Sequence, residues 1–167
     1  MKVFLLLLTG LIGASALQAT EFSSRRLEIA REVMLYNETN WKQALRHYTD
    51  DLVYEDPILR VQGTEDMNVL MGNLFAHTRQ QLTIEDEVFS GDRYMATWSI
   101  AMTYIYSGER TQDFVIRGST LLRFNGKDEV VFHRDYYSDA DILADIPVMG
   151  AVVKQFRKAH RETMLGE

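Results

Sequence analysis

The stretch on which the fold turns is Tyr94-Met95-Ala96-Thr97-Trp98-Ser99-Ile100-Ala101-Met102-Thr103-Tyr104-Ile105-Tyr106. Tyr94, Ala96, Trp98, Ile100, Met102, Tyr104 and Tyr106 fall on one face of it, with smaller or more polar residues between them. A period of two over that length is a long β-strand with one buried face. Ser107-Gly108-Glu109 then turns the chain, and Phe114, Ile116, Gly118, Thr120, Leu122 and Phe124 line one face of a return strand. Asn125-Gly126-Lys127 is a second turn, followed by a last strand over Val130–Tyr137. Upstream, from Gln80, the apolar residues Leu82, Ile84 and Val88 alternate with Thr83, Glu85 and Glu87 and predict one more strand.

Before this meander the period is helical. Ser23 and Ser24 can cap a helix from about Arg25 to Tyr36, with Leu27, Ala30 and Val33 or Met34 at helical spacing. Asn40 can cap a second, short helix carrying Trp41, Ala44, Leu45 and Tyr48. Leu52–Asp56 reads as a short strand stopped by Pro57, and Gly63-Thr64 opens a helix striped by Met67, Leu70, Met71, Leu74 and Phe75. Helices followed by long antiparallel strands describe an α+β domain, with helices packed on one face of a curved antiparallel sheet. After the last strand, Asp139–Asp145 predicts a short helix broken at Ile146-Pro147, and a further helix runs from about Val148 to Met164.

With 167 residues, 46% of them apolar, the chain suits one packed domain rather than disorder. It has no cysteine, which excludes disulfides, thiolate metal sites and a cysteine nucleophile together. Its 24 acidic against 18 basic side chains, net -6, exclude a general nucleic-acid binder, which needs a basic face. At the start, Lys2 precedes the apolar run Val3–Leu8 and Leu11-Ile12, followed by the small residues Ala14-Ser15-Ala16. This is the order of a secretory signal, cut after Ala16 or alternatively Ala19, and it predicts a periplasmic or secreted mature protein. The run is too short for a membrane span, which takes about 20 apolar residues.

Three blocks carry a family resemblance: Tyr48-Thr49-Asp50-Asp51-Leu52-Val53-Tyr54-Glu55-Asp56-Pro57, then Gly63-Thr64-Glu65-Asp66, then Phe132-His133-Arg134-Asp135-Tyr136-Tyr137. In this order the chain resembles the nuclear transport factor 2-like superfamily, and within it the SnoaL-like, polyketide-cyclase-like branch, over residues 22–138. Residues 139–167 are then a helical extension. The resemblance implies a cone of curved sheet (an α+β barrel) wrapped around the N-terminal helices. It also implies an apolar pocket inside and a homodimer formed through the sheet's outer face. Val115, Arg117, Ser119 and Leu121 are the candidates for that face. Because this fold hosts isomerases, hydrolases, cyclases and non-catalytic proteins, the chemistry has to come from individual positions.

Asp56 matches the base of ketosteroid isomerases. Their first-helix tyrosine matches Glu32, with Tyr36 one turn away, and their protonated aspartate matches Thr120. Asp135 matches one aspartate of limonene-epoxide-hydrolase-like enzymes, but their other charged pair matches Trp98 and Ile100. In SnoaL-like cyclases a single aspartate near the last strands suffices, and Asp135 matches that too. Strand alternation turns Val131, His133, Asp135 and Tyr137 to one face, and Tyr54 and Asp56 to one face. The candidate acid/base residues are therefore Asp135, Asp56 and His133, in a pocket of Tyr54, Trp98, Ile100, Met102, Phe114, Ile116, Thr120 and Tyr137. Such apolar walls with convergent polar groups fit a small apolar or carbonyl-bearing ligand, with no cofactor and no metal called for. Other readings stand beside this one: Asp56 as a turn cap, Asp135 as a partner of Arg117, Arg123 or Arg134, and His133 as a structural histidine. His47, His77 and His160 read as surface. In the last helix Val148, Met149, Val152, Val153 and Phe156 form an apolar stripe beside Lys154, Arg157, Lys158 and Arg161. This helix either touches an anionic membrane surface or packs over the mouth of the barrel.

Overall fold

The computed structural model describes residues 24–105, 111–146 and 148–166. The predicted signal sequence, Ser23, Tyr106 with the predicted turn at Ser107-Gly108-Glu109, and Pro147 lie outside the described residues. Residues 24–34 are helical (α1), and Trp41–Ala44 (α2) runs into a 3-10 turn, Leu45–His47. Two strands follow, β1 (Tyr48–Glu55) and β2 (Arg60–Gln62), then α3 (Thr64–His77). The meander is β3 (Thr78–Ser90), β4 (Arg93–Ile105), β5 (Thr111–Phe124) and β6 (Val130–Tyr137). α4 (Asp139–Leu143) and α5 (Met149–Leu165) complete the chain.

The six strands form one curled sheet in the order β2-β1-β6-β5-β4-β3, and its end strands β2 and β3 do not pair, so the barrel is unclosed. All neighbours are antiparallel except β1 and β6, which run parallel, a pairing the expectation of a wholly antiparallel sheet did not contain. β1 also begins at Tyr48 rather than Leu52, because Tyr48 is held opposite Val130 at the start of β6. α1 and α3 lie in the concavity, where Val33, Met34, Met67 and Met71 pack with Leu52, Tyr94, Leu122 and Val130.

Two bulges change which side chains face inward. Between Ile84 and Asp86 the β3 register slips by one residue, so Val88 is exposed and Glu87 turns toward the core side. There Glu87 pairs with Arg31 of α1 and accepts the Tyr94 hydroxyl at 2.9 Å. On β6 a slip between Arg123 and Phe124 buries Val130 in place of the expected Val131. An extra residue in one strand inverts the alternation beyond it, and composition alone does not mark where it sits.

α1 stops at residue 34, short of the predicted Tyr36. The Asn37 amide nitrogen donates to Asn40 Oδ1, and Asn37 Oδ1 accepts the Thr39 N–H, so an asparagine turn replaces the next helical turn. A long-range tie, unforeseen from the sequence, holds α1 in place. Arg26 bonds Asp128 (Nε to Oδ1, 2.7 Å) and the carbonyls of Gly91 and Asn125, with both side chains buried. Each buried charge is thus paired, and the helix is anchored to the two turns at the closed end of the cone.

β4 divides the interior. Tyr94, Ala96 and Trp98 are buried in the core, while Ile100, Met102 and Tyr104 on the same face are only half-buried. The boundary is Trp98, whose indole lies over Gly118 on β5. A Cβ at Gly118 would sit 2.5 Å from the Tyr136 carbonyl oxygen and 2.6 Å from the indole ring. Neither backbone nor ring can retreat in a packed sheet. Gly118→Ala is therefore expected to cost about 1–3 kcal/mol in chemical denaturation and to shift Trp98 emission. Unchanged stability together with an unchanged spectrum would contradict this packing.

Candidate functional site

Beyond Trp98 the cone encloses a cavity of about 520 Å³. All eleven residues predicted for the site line it: the three acid/base candidates and the eight pocket residues. The apolar wall comes from the far halves of β3, β4 and β5, through Leu82, Ile100, Met102, Phe114 and Ile116. Ile142 of α4, and Ile146 just after it, also line it. The C-terminal extension thus contributes wall through α4, which sequence patterning did not indicate. Tyr36 does so too, because the early end of α1 frees it from the helix.

The polar groups gather at one end, around Asp135. Thr120 donates to Asp135 Oδ1 at 2.5 Å, His133 Nε2 lies 3.1 Å from the same oxygen, and the Tyr54 hydroxyl donates to Oδ2 at 3.0 Å. Behind them, Trp98 Nε1 donates to Thr120 Oγ1 at 2.8 Å, and the Tyr48 hydroxyl lies 2.7 Å from His133 Nδ1. The indole is only a donor, so the Thr120 hydrogen is committed to Asp135. His133 thus has a partner at each ring nitrogen, the Tyr48 hydroxyl at Nδ1 and Asp135 at Nε2. The Tyr54 ring stands edge-on to His133 at 5.1 Å and closes the group.

Burial pushes the Asp135 carboxyl toward its neutral form, but His133, Thr120 and Tyr54 together outweigh it, and its pKa lies below the ordinary value. Asp135 is a solvated, ionised carboxylate inside the protein. Burial acts oppositely on the phenols, with the carboxylates adding to it: Tyr36, Tyr48, Tyr54 and Tyr137 are all held well above the usual tyrosine range. They are neutral hydroxyl donors.

Asp56 has two faces. Its Oδ1 accepts the Ile58 and Leu59 N–H groups at 2.7 and 2.8 Å, the turn cap anticipated from Asp56-Pro57. Its Oδ2 lies 3.3 Å from the Tyr54 hydroxyl, and Tyr137 also bonds this carboxylate. Tyr54 has one hydrogen and gives it to the nearer Asp135, leaving oxygen lone pairs toward Asp56. Tyr36 stands edge-on to Phe75 at 5.9 Å. Its hydroxyl feels both carboxylates yet has no hydrogen-bond partner among the described residues.

The alternative partners lie elsewhere. Arg134 pairs with Glu55 at 3.4 Å, Arg123 lies over Phe132, and Arg117 is exposed, so none of these three is the partner of Asp135. Glu32, the position matched to a catalytic tyrosine, instead bonds Arg46 and His47 on the outside. His47 is more covered than a surface histidine, its side chain 15% exposed beneath that carboxylate. Among the described residues no group of three His, Cys, Asp or Glu side chains is placed to hold a metal.

Comparison with known proteins agrees with this architecture. A search of curated protein sequences finds no match. Among solved structures, one assigned as a polyketide cyclase from Xanthomonas campestris pv. campestris superposes with a TM-score of 0.65 at 16% identity. That alignment covers 74% of this chain and 98% of the other. A phenazine biosynthesis-related protein from Pseudomonas aeruginosa gives 0.69 at 8% identity, over 78% and 92% of the chains. A limonene-epoxide-hydrolase-like epoxide hydrolase of M. tuberculosis gives 0.54 at 19% identity, over 73% and 86%. At these identities the likeness is one of fold. The sequence profile of the SnoaL-like domain matches residues 29–133, from the buried Ile29 of α1 to the site histidine itself, and the chain belongs to the SnoaL-like domain family.

Proposed function

We propose that this chain is an exported SnoaL-like protein that binds a small apolar molecule carrying a carbonyl oxygen and moves a proton on it. The observation that carries the reading is the Tyr36 hydroxyl, which lines the cavity, feels both Asp135 and Asp56, and has no hydrogen-bond partner among the described residues. A neutral phenol facing the cavity suits a carbonyl oxygen, and binds it more strongly as charge develops there. Asp56 Oδ2 is the base: it takes a proton from the carbon beside the carbonyl and, once protonated, donates to the Tyr54 oxygen. Returning that proton to another carbon completes an isomerisation; in a cyclisation the enolate carbon instead bonds a second carbonyl carbon of the same molecule, and the oxygen of that carbonyl takes the proton as its C=O π bond breaks. Asp135 is less free, with donors on both of its oxygens, Thr120 and His133 on Oδ1 and Tyr54 on Oδ2, whereas the two N–H groups that Asp56 accepts both fall on its Oδ1. It serves as the fixed anion that keeps Tyr54 oriented. The lack of charge at Trp98 and Ile100 argues against the epoxide-opening variant, which needs an acid for the leaving oxygen. A family member with the same cavity and no chemistry would be a carrier, the second reading.

One measurement addresses export, assembly and ligand together. Native mass spectrometry of protein recovered from the exported fraction of its host is expected to show the mass of a chain cut after Ala16 or Ala19, in a dimer, with an apolar molecule retained. A full-length monomer without ligand would count against all three. The chemistry is tested by deuterium exchange beside the carbonyl of bicyclic ketone probes. Asp56→Asn should slow exchange by at least about 100-fold while leaving probe binding within a few-fold. Equal exchange in variant and parent, with binding retained, would make the protein a carrier.

Asp135 also sets an acid limit. Its folded pKa lies below the unfolded value of about 3.9, so its contribution is fully present above that value and is lost as pH falls through the folded pKa. The denaturation midpoint should therefore drop below about pH 4, more steeply in the parent than in Asp135→Asn. Identical acid profiles would show that the carboxylate is not held as described.

A further inference from the structure

α5 has a surface that the cavity does not use. Of its 17 residues only Gly150 is buried, against Ala144, and the helix does not pack over the barrel. Met149, Val152, Phe156 and Met164 recur at helical spacing and are 45–70% exposed. The His160 ring extends the stripe by stacking on Phe156 at 6.2 Å. Lys154, Arg157, Lys158 and Arg161 occupy the adjoining face, opposed within the helix by the single acid Glu162. A net cationic, amphipathic helix thus stands on a chain whose total charge is -6. Exposed apolar stripes of this kind cover something, and the cations beside it select an anionic partner.

We propose that α5 is an interfacial helix that lies in the surface of an anionic lipid bilayer. A bilayer meets both halves of the surface at once: acyl chains take Val152 and Phe156, and headgroups take Lys154 and Arg161, with Lys158 beside Glu162 and Arg157 held by Asp141 of α4. A second copy of α5 would satisfy the apolar stripe but bring like charges together. No helix among the described residues is long and apolar enough to cross a membrane, and α5 accordingly lies on the bilayer without spanning it. Described residues on both sides of Pro147 tie α5 to its surroundings. Gly150 N donates to the Ile146 carbonyl at 2.7 Å, Gln112 Nε2 bonds the Asp145 carbonyl, and Arg157 reaches Asp141 of α4. A docked α5 therefore brings the segment of Ile142 and Ile146, which lines the cavity, close to the lipid. The docking itself does not depend on what the cavity binds.

Full chain purified from its host is pelleted with vesicles of phosphatidylcholine, with and without phosphatidylglycerol, at low and high salt. We expect partitioning at least about tenfold stronger onto the phosphatidylglycerol vesicles, falling by a similar factor at high salt. Phe156→Asp and the double change Lys154→Glu with Lys158→Glu should each abolish it. Because these side chains are exposed, both variants should keep the parent's thermal midpoint and cavity binding, which separates this test from that of the proposed chemistry. Equal binding to both vesicle types, or none, overturns the proposal. So does a Phe156→Asp change that turns a dimer into a monomer without vesicle binding, since the stripe would then cover a second copy.

Discussion

A carboxylate inside a protein must be solvated by the protein, and much of this molecule's interior is arranged around doing so for Asp135. An uncompensated charge at that depth would cost several kcal/mol. Three donors meet it, and each is itself held: Thr120 by the Trp98 indole, His133 by Tyr48, and Tyr54 by its place on β1. These residues come from β1, β4, β5 and β6, so the network also fixes how the strands lie against one another. The parallel pairing of β1 with β6 belongs to the same arrangement, since it places Tyr54 opposite His133.

Polar groups that spend their hydrogens on Asp135 have none left for a ligand. In the proposed chemistry that leaves Asp56 and Tyr36 as the reactive pair. The division of labour resembles many acid/base sites, where one carboxylate is held as a charge while a second stays free to take a proton. It depends on a small local event, the asparagine turn that ends α1 at residue 34 and releases Tyr36 into the cavity. Were the helix to continue as its periodicity suggests, the cavity would lose its unbonded hydroxyl.

Much of the fold was legible because β4 and β5 pair in one unbroken register from Arg93 opposite Arg123 to Ile105 opposite Thr111. There a period of two translates directly into inside and outside. Legibility failed wherever an extra residue entered a strand. The slips on β3 and β6 exposed Val88 and buried Val130, and neither is signalled by a glycine or a proline at the bulge. It failed also for Arg26, since a buried ion pair over 102 residues of separation leaves no local pattern. The eleven candidate residues line one cavity, because alternation and motif position pointed the same way. Their roles were not legible in that way.

Local pattern by itself determined the α+β class, the strand meander, the inward face of β4 and β5 and the amphipathic character of the last helix. Each rests on periodicity along one segment, where side-chain direction follows from backbone geometry alone. Only the tertiary structure decided that three donors converge on Asp135, that Tyr36 rather than Glu32 lines the cavity, and that α4 walls the cavity while α5 stands clear of it. Those are outcomes of which hydrogen finds which oxygen and which apolar face finds a neighbour. Both depend on distances between segments far apart in the chain, and no single stretch of sequence contains them.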